Sequence, residues 1–268
     1  IRTIGNPRHR FEEDHLRLIR AVRFAARFRF TIEPETLQAI REMAAQLTTV
    51  SLERLRDELS RIMQDPRPDY GLELLQNSGL LSTILQLFPV PNLALERLTR
   101  LRKLALSTIP SALRPPAFFI FLCCPLQNHQ ADPHRVQRTL RLFRFANSEV
   151  TAGGTMVSHL FRIRDFDHLR HADRIRLLRD QHFPGAHILA ATLYNLPLTT
   201  IEAEIKRLEG QQLFPPPLIT GKELKAAGLE PGPQFKEILH EIETHQLEGT
   251  LQDSNAALEL ALQLAVVD

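Results

Sequence analysis

Cysteine is nearly absent from this 268-residue chain: two occur, side by side at Cys123 and Cys124. Neighbouring cysteines rarely bond to each other, and no second pair exists to complete a zinc site. Neither a disulfide scaffold nor a thiolate metal centre is expected, and the pair reads as small buried side chains of an intracellular protein. No run approaches the roughly 18 apolar residues of a membrane span, and no secretory h-region opens the chain. A cytoplasmic location follows as the expectation. Glycine is sparse at 11, and no Gly-rich phosphate loop, Ser-His-Asp set or repeat period stands out. No His-Asp dipeptide occurs, although the HD-type phosphohydrolase site needs one beside further His and Asp ligands. His168, His171 and Asp173 therefore read as surface, and no metal ligand is assigned within the chain. Lysine is scarce as well, five against 28 arginines. That imbalance suits bidentate phosphate contacts, although codon bias produces the same ratio.

What is present is ordinary for a globular chain: 43% apolar and 24% charged residues, punctuated by 18 prolines. The length implies two or three subdomains. Few β-branched runs and frequent proline breaks favour an all-α fold of helices joined by short turns. The net charge of +2 conceals a polarity. Residues 1–30 carry +5, residues 131–180 carry +4, and residues 197–268 carry −7. A polyanion would meet the first and middle thirds rather than the last.

The most informative stretch runs from Arg10 to Phe30. Phe11, Leu18, Val22 and Ala25 recur at helical spacing with no Gly or Pro among them, which predicts one amphipathic helix. Asp14, Arg17, Arg20 and Arg23 follow at steps of three and fan over about half of that helix. Asp14 and Arg17, one turn apart, can address a common target, and Glu13 is placed four residues before Arg17 to hold its guanidinium. A carboxylate beside a guanidinium has a specific use. Cytosine and adenine each present an exocyclic amine next to a ring-nitrogen acceptor, whereas guanine and uracil present an acceptor beside an N–H donor. An Asp facing the amine and an Arg facing the ring nitrogen accept C and A, and strand their own polar groups against G and U. The same spacing also describes a solvated helix face with intrahelical ion pairs, and spacing alone leaves both readings open.

The pattern Arg10-Phe11-x-Glu13-Asp14-x-Leu16-Arg17-x-x-Arg20-Ala21-x-Arg23-Phe24, running into Phe28-x-Phe30-x-Ile32, resembles the nucleotide-selecting neck helix of class II (bacterial-type) CCA-adding tRNA nucleotidyltransferases and their poly(A) polymerase relatives. Ile1-Arg2-Thr3-Ile4-Gly5-Asn6-Pro7 resembles the end of that family's catalytic head. Ser51-Leu52-Glu53-Arg54-Leu55-x-x-Glu58-Leu59 is similar to the next neck helix, and Gly71-Leu72-x-Leu74-Leu75-x-x-Ser78-Gly79-Leu80-Leu81 to the start of the body. Thr220-Gly221-Lys222-Glu223-Leu224 and Gly228-x-x-Pro231-Gly232-Pro233 resemble the tail. The likeness is dense over 1–89 and 219–250, and thin between.

The resemblance implies a neck over 1–64, a helical body over 65–214 and a helical tail over 215–268. It implies that Asp14, Arg17, Arg20 and Arg23 bind the nucleotide, with Glu13, Glu53, Arg54 and Glu58 in support. Partners would be tRNA, CTP and ATP. Magnesium would be held by an Asp-x-Asp pair in the head, upstream of Ile1, so no catalytic residue is assigned here. Asp165-Phe166-Asp167 has that spacing but follows a helical segment rather than a Gly-Ser strand turn. A chain that starts at Ile in mid-pattern is expected to be a fragment. A head-less RNA-binding module and an α-helical scaffold are the competing classes.

Further along, Pro34 opens a helix, Ser51 caps another carrying Leu52, Leu55, Leu59 and Ile62, and Asp65-Pro66-Arg67-Pro68 forms a linker. Helices are expected near 70–77, 80–88 and 93–107. The apolar run Ala117-Phe118-Phe119-Ile120-Phe121-Leu122 reads as a core helix rather than a strand. Asp132 and Pro133 open a helix with Val136, Leu140 and Phe143 buried. Its Arg135, Arg138, Arg141 and Arg144 form a candidate phosphate-contacting ridge. A helix near 169–180 adds Arg170, Arg174, Arg176 and Arg179. Past Pro215-Pro216-Pro217, three more helices are expected. They are 221–227, one through Phe235, Ile238, Leu239 and Ile242, and 254–265 carrying Leu258, Leu262 and Ala265.

Overall fold

The computed structural model describes residues 1–88, 109–123, 132–194, 196, 198–209 and 215–266, and among these there is no strand. The helices are α1 (Pro7–Glu13), α2 (Leu16–Phe28), α3 (Pro34–Met43), α4 (Leu52–Met63), α5 (Pro68–Asn77), α6 (Leu80–Gln86), α7 (Arg114–Cys123), α8 (Pro133–Leu142), α9 (Asn147–Arg164), α10 (His171–Arg179), α11 (Phe183–Tyr194), α12 (Leu198–Glu209), α13 (Gly221–Ala226), α14 (Pro233–Leu247) and α15 (Ser254–Val266). Short 3-10 turns occupy Ala44–Thr49 and Phe166–His168. The fold is all-α, as the proline punctuation implied. The helix expected over 93–107 and the second cysteine, Cys124, lie outside the described residues; Cys123 is buried.

The described chain divides into two compact units, 1–164 with 181–198, and 165–180 with 199–268. In the first, α2 packs against α4 and α5, and α1 against α3. Phe11, Leu18, Val22 and Ala25 are all buried, so the apolar stripe faces the core as its spacing requires. Leu55, Leu59 and Ile62 of α4 lie opposite them in the same core, and Ser51 caps that helix by accepting the Arg54 amide at 3.4 Å. The run over 117–122 is the helix α7, buried on every side. Phe119 meets Phe143 and Phe145 edge-on at 4.9 and 4.8 Å between ring centres, which ties α8 to α7. Asp132 caps α8 through the His134 amide at 2.9 Å, with Pro133 at the first helical position. Two glycines of α9 let α8 lie close. A Cβ at Gly153 would stand 2.4 Å from Leu140 Cδ1, and one at Gly154 would stand 2.2 Å from Gln137 Nε2.

In the second unit, Ile219, Leu224, Ile238, Ile242, Ala257 and Ala261 form one core. Thr220 and Glu223 cap α13 reciprocally. Gly228 and Gly249 adopt positive φ of 91° and 75° just past α13 and α14. On α15 the buried centre is Ala257 and Ala261, whereas Leu262, expected on the apolar line, is exposed. Small residues make the close approach there, and the larger leucines flank it. Ala172, Ile175, Leu208 and Leu247 build a smaller cluster joining α10, α12 and α14.

Candidate functional site

The chain over 10–30 is two helices, not the single one its apolar spacing predicts. Asn6 caps α1 with Pro7 at the first position, and α1 ends at Asp14, whose φ of −160° and ψ of 106° are extended. Asp14 Oδ1 instead accepts the Leu16 amide at 3.1 Å. An aspartate competes for backbone donors in this way, and here that competition overrides helix continuation. Asp14 is therefore set before α2 rather than on it. The Arg17 amide still donates to the Asp14 carbonyl at 3.0 Å, so the two remain neighbours across the break.

Each member of the pair is held. Asp14 Oδ2 accepts from Arg54 Nη2 of α4 at 2.8 Å. Burial pushes the Asp14 carboxyl upward, but the Arg54 hydrogen bond, the Leu16 amide and the charges of Arg54 and Arg17 outweigh it. The group is held below the usual aspartate value, ionised and acceptor-only at neutral pH. Arg17 Nη1 donates to Glu13 Oε2 at 2.5 Å and to the Arg10 carbonyl at 2.8 Å. Glu13 also takes Arg10 Nη1 at 2.8 Å. The Arg17 hydrogen bond, with help from Arg10, draws the Glu13 carboxyl below its ordinary value. The reach of Glu13 to Arg17 is the one its spacing implied.

The remaining expected residues divide. Arg23 bonds the buried Glu58 carboxylate and lies over the Phe24 ring at 4.0 Å, so its charge is committed inward. Arg20 is exposed, with Phe24 at 5.9 Å. Glu53 is exposed and makes no ion pair among the described residues. The structure thus gathers Glu13, Asp14, Arg17 and Arg54 at one place and Arg23 with Glu58 at another, while Arg20 and Glu53 stand apart. Arg10 was missed, although its step of three to Glu13 was visible. Asp65 was also missed. It is buried, bonds Arg29 and the Arg67 amide, and stands 3.8 Å from Arg27. Its partners are up to 38 residues earlier in the chain, so no local spacing signals it.

The arginines of α8 keep their expected side of the helix, with one correction. Arg138 and Arg141 are exposed and Arg135 is half-buried. Arg144 lies beyond the helix end, in the left-handed region at φ 58°, and its carbonyl accepts from Arg56. Three arginines, not four, belong to the helix itself. Around α10 the expected basic surface is largely absent. Arg176 and Arg179 bond Glu243 at 2.8 and 3.1 Å, and Arg174 donates to the Asp167 carbonyl at 2.6 Å. Only Arg170 of the four is well exposed. No group of three His, Cys, Asp or Glu among the described residues is placed to hold a metal ion.

Residues 29–94 match the family model described as "Probable RNA and SrmB- binding site of polymerase A". The CCA-adding enzyme of Levilactobacillus brevis is 29% identical over 271 residues, covering 98% of this chain and 63% of that enzyme. The crystal structure of the Bacillus stearothermophilus CCA-adding enzyme in complex with CTP superposes with a TM-score of 0.62 at 22% identity, over 98% of this chain and 65% of that one. The Thermotoga maritima CCA-adding enzyme complexed with tRNA gives 0.60 at 19% identity, over 94% and 62%. The fold is thus that of a helical portion of these enzymes. With the sequence match over nearly its whole length, the chain is similar in both sequence and fold to the CCA-adding enzymes, the family its neck motif resembles. It spans about 63% of the length of the L. brevis relative.

Proposed function

We propose that this chain is the nucleotide-selecting and tRNA-holding part of a cytoplasmic tRNA nucleotidyltransferase that adds C and A residues to tRNA 3′ ends from CTP and ATP. One observation carries the reading. In a chain similar to the CCA-adding enzymes, an ionised Asp14 and a Glu13-held Arg17 are brought side by side at the α1–α2 break. Asp14 accepts the exocyclic amine of C or A, and Arg17 donates to the ring nitrogen. Glu13 and the Arg10 carbonyl fix the guanidinium, and Arg54 directs the carboxylate. Preorganised charges of this kind stay ionised through binding and penalise a mismatched edge.

In this reading residues 1–64 are the neck, 65–214 the body and 215–268 the tail. Arg20 lies along the nucleotide, Arg23, held inward by Glu58, acts on it only by fixing the helix, Glu53 and Glu58 support the neck, and Arg135, Arg138, Arg141 and Arg144 face the tRNA backbone. Relatives solved with CTP and with tRNA support the choice of ligands. Magnesium, which the family implies, finds no fitting cluster of His, Cys, Asp or Glu among the described residues. The ion belongs to a part of the parent protein outside this sequence, and the Asp165-x-Asp167 pair takes no catalytic role. The "polymerase A" description of the matching model favours poly(A) synthesis as the second reading.

The chain is expected to bind tRNA with a strong salt dependence and, supplied with magnesium, CTP and ATP, to incorporate nothing. Salt-independent or absent tRNA binding contradicts the tRNA-holding role. Magnesium-dependent incorporation by the chain alone contradicts the placing of the chemistry elsewhere and restores Asp165 and Asp167. Single-nucleotide additions by the full-length parent on trimmed tRNA separate CCA addition from poly(A) synthesis.

A further inference from the structure

Between α2 and α4 lies a cleft of about 290 Å³ lined by Arg23, Ala26, Arg27, Arg61, Ile62, Gln64 and Asp65. Four guanidiniums converge on two buried carboxylates there. Glu58, with 6% of its side chain exposed, bonds Arg23, and Asp65, with 4%, bonds Arg29. Those two arginines are committed. Arg27 stands 3.8 Å from Asp65 and Arg61 stands 3.8 Å from Glu58, too far for hydrogen bonds. Both keep more than half of their side chains in solvent, 62% and 61%. Two positive charges therefore remain unneutralised at the rim of a concave site. Its apolar floor, Ala26 and Ile62, excludes water from one side.

We infer that this cleft is a phosphodiester-binding site, in which Arg27 and Arg61 clamp one backbone phosphate of an RNA from opposite walls. The inference rests on the tRNA-holding reading and adds a site to it, apart from the Asp14–Arg17 pair and from the α8 ridge. Guanidinium forks match phosphate oxygens bidentately, which a pair of ammonium groups does not. Gln64, also on the wall, supplies an amide donor to a third oxygen. The buried carboxylates keep Arg23 and Arg29 in place, so the cleft is formed before the phosphate arrives and little ordering is required of it. Free inorganic phosphate presents the same oxygens, and the test distinguishes the two sources.

The test is tRNA binding by this chain across a range of KCl concentrations, with Arg27→Gln and Arg61→Gln singly and together. One shared phosphate predicts that the double variant lowers the slope of log affinity against log salt by about one, whereas each single variant, whose remaining guanidinium still neutralises that phosphate, weakens binding with little change of slope. Arg27→Lys with Arg61→Lys keeps the slope near its original value but weakens binding, since charge is retained and the fork is lost. An unchanged slope in the double Gln variant, with circular dichroism showing it folded, overturns the site while leaving tRNA binding itself standing. Absence of salt-dependent tRNA binding by the unmodified chain overturns the site together with the reading beneath it. If inorganic phosphate broadens in 31P spectra with the chain, loses that broadening in the double variant, and the tRNA slope stays unchanged, the cleft belongs to a free anion and the RNA assignment is wrong.

Discussion

On α2, Arg17, Arg20, Arg23 and Arg27 follow one another at steps of three and four, and around α10 Arg170, Arg174, Arg176 and Arg179 do nearly the same. The two sets end in different chemistry. At α10, Arg176 and Arg179 converge on Glu243 and Arg174 on backbone carbonyls and Glu204, so the charges are spent inside one unit. At α2, Glu58 and Asp65 take Arg23 and Arg29 fully, and leave Arg20, Arg27 and Arg61 facing solvent. Arginine spacing alone therefore does not separate a ligand-facing helix from a structural one. What separates them is the balance of arginines to carboxylates: Glu204 and Glu243 serve three arginines at α10, whereas Glu58 and Asp65 are shared among Arg23, Arg27, Arg29 and Arg61.

The sharpest way to break this comparison is to remove those carboxylates. Asp65→Asn strands Arg29 and frees Arg27, and is expected to cost the first unit about 3 kcal/mol. Its pH dependence has a defined sign. Burial raises the Asp65 carboxyl, but the Arg67 amide and the Arg29 and Arg27 charges outweigh it, so the folded pKa lies below the ordinary value. Such a group stabilises fully above the ordinary carboxylate pKa of about 4, and the stabilisation is lost as pH falls through the lowered folded value. Thermal melts of the unmodified chain should hold steady from neutral pH to about 4 and decline below it, with a shallower decline in Asp65→Asn. An identical acid profile in the variant contradicts the assignment. Glu243→Gln is expected to be milder, about 2 kcal/mol, because Glu243 is partly solvated and one neutral amide still accepts a hydrogen bond. Hydrogen exchange should then rise in α10 and α14 first. Smallest in stability, but not in binding, is Arg138→Ala with Arg141→Ala on exposed α8. Melts should be unchanged, while the salt slope of tRNA binding falls by up to about two counterions. An unaltered slope makes that face a merely solvated one.

Much of the fold was legible because it depends on local signals. Pro34, Ser51, Asp132 and the Thr220–Glu223 box mark helix starts, and Gly228 and Gly249 mark ends. The apolar run over 117–122 became a helix because every other described element is helical and no strand pairs with it. The break at Asp14 was missed for a definite reason. Apolar periodicity runs straight through it, since Phe11 and Leu18 face the same core on both sides, and only the cap chemistry of one residue interrupts the backbone. At the candidate site, Glu13 with Arg17 was readable from a step of four. Asp14 with Arg54 and Arg23 with Glu58 span 40 and 35 residues, and Asp65 draws on both α2 and its own loop. Pairings of that separation are fixed by packing, and single-sequence spacing does not contain them.

The central claim is that Asp14 and Arg17 read the pairing edge of the incoming base, and one measurement addresses it directly: single-nucleotide incorporation by the full-length parent from CTP, ATP, UTP and GTP in turn. Asp14→Ala and Arg17→Ala each remove one charge-assisted hydrogen bond, about 1.5–3 kcal/mol, and should lower kcat/KM for CTP and ATP by about ten- to a hundredfold. Discrimination against UTP and GTP should relax in both, because no charged group is stranded by the wrong edge. The double variant should fall short of the product of the singles, since the two residues act on one base. If both variants lose tRNA affinity while the preference for C and A over U and G stays intact, the pair is a structural or RNA-binding element and the account given of this site is wrong.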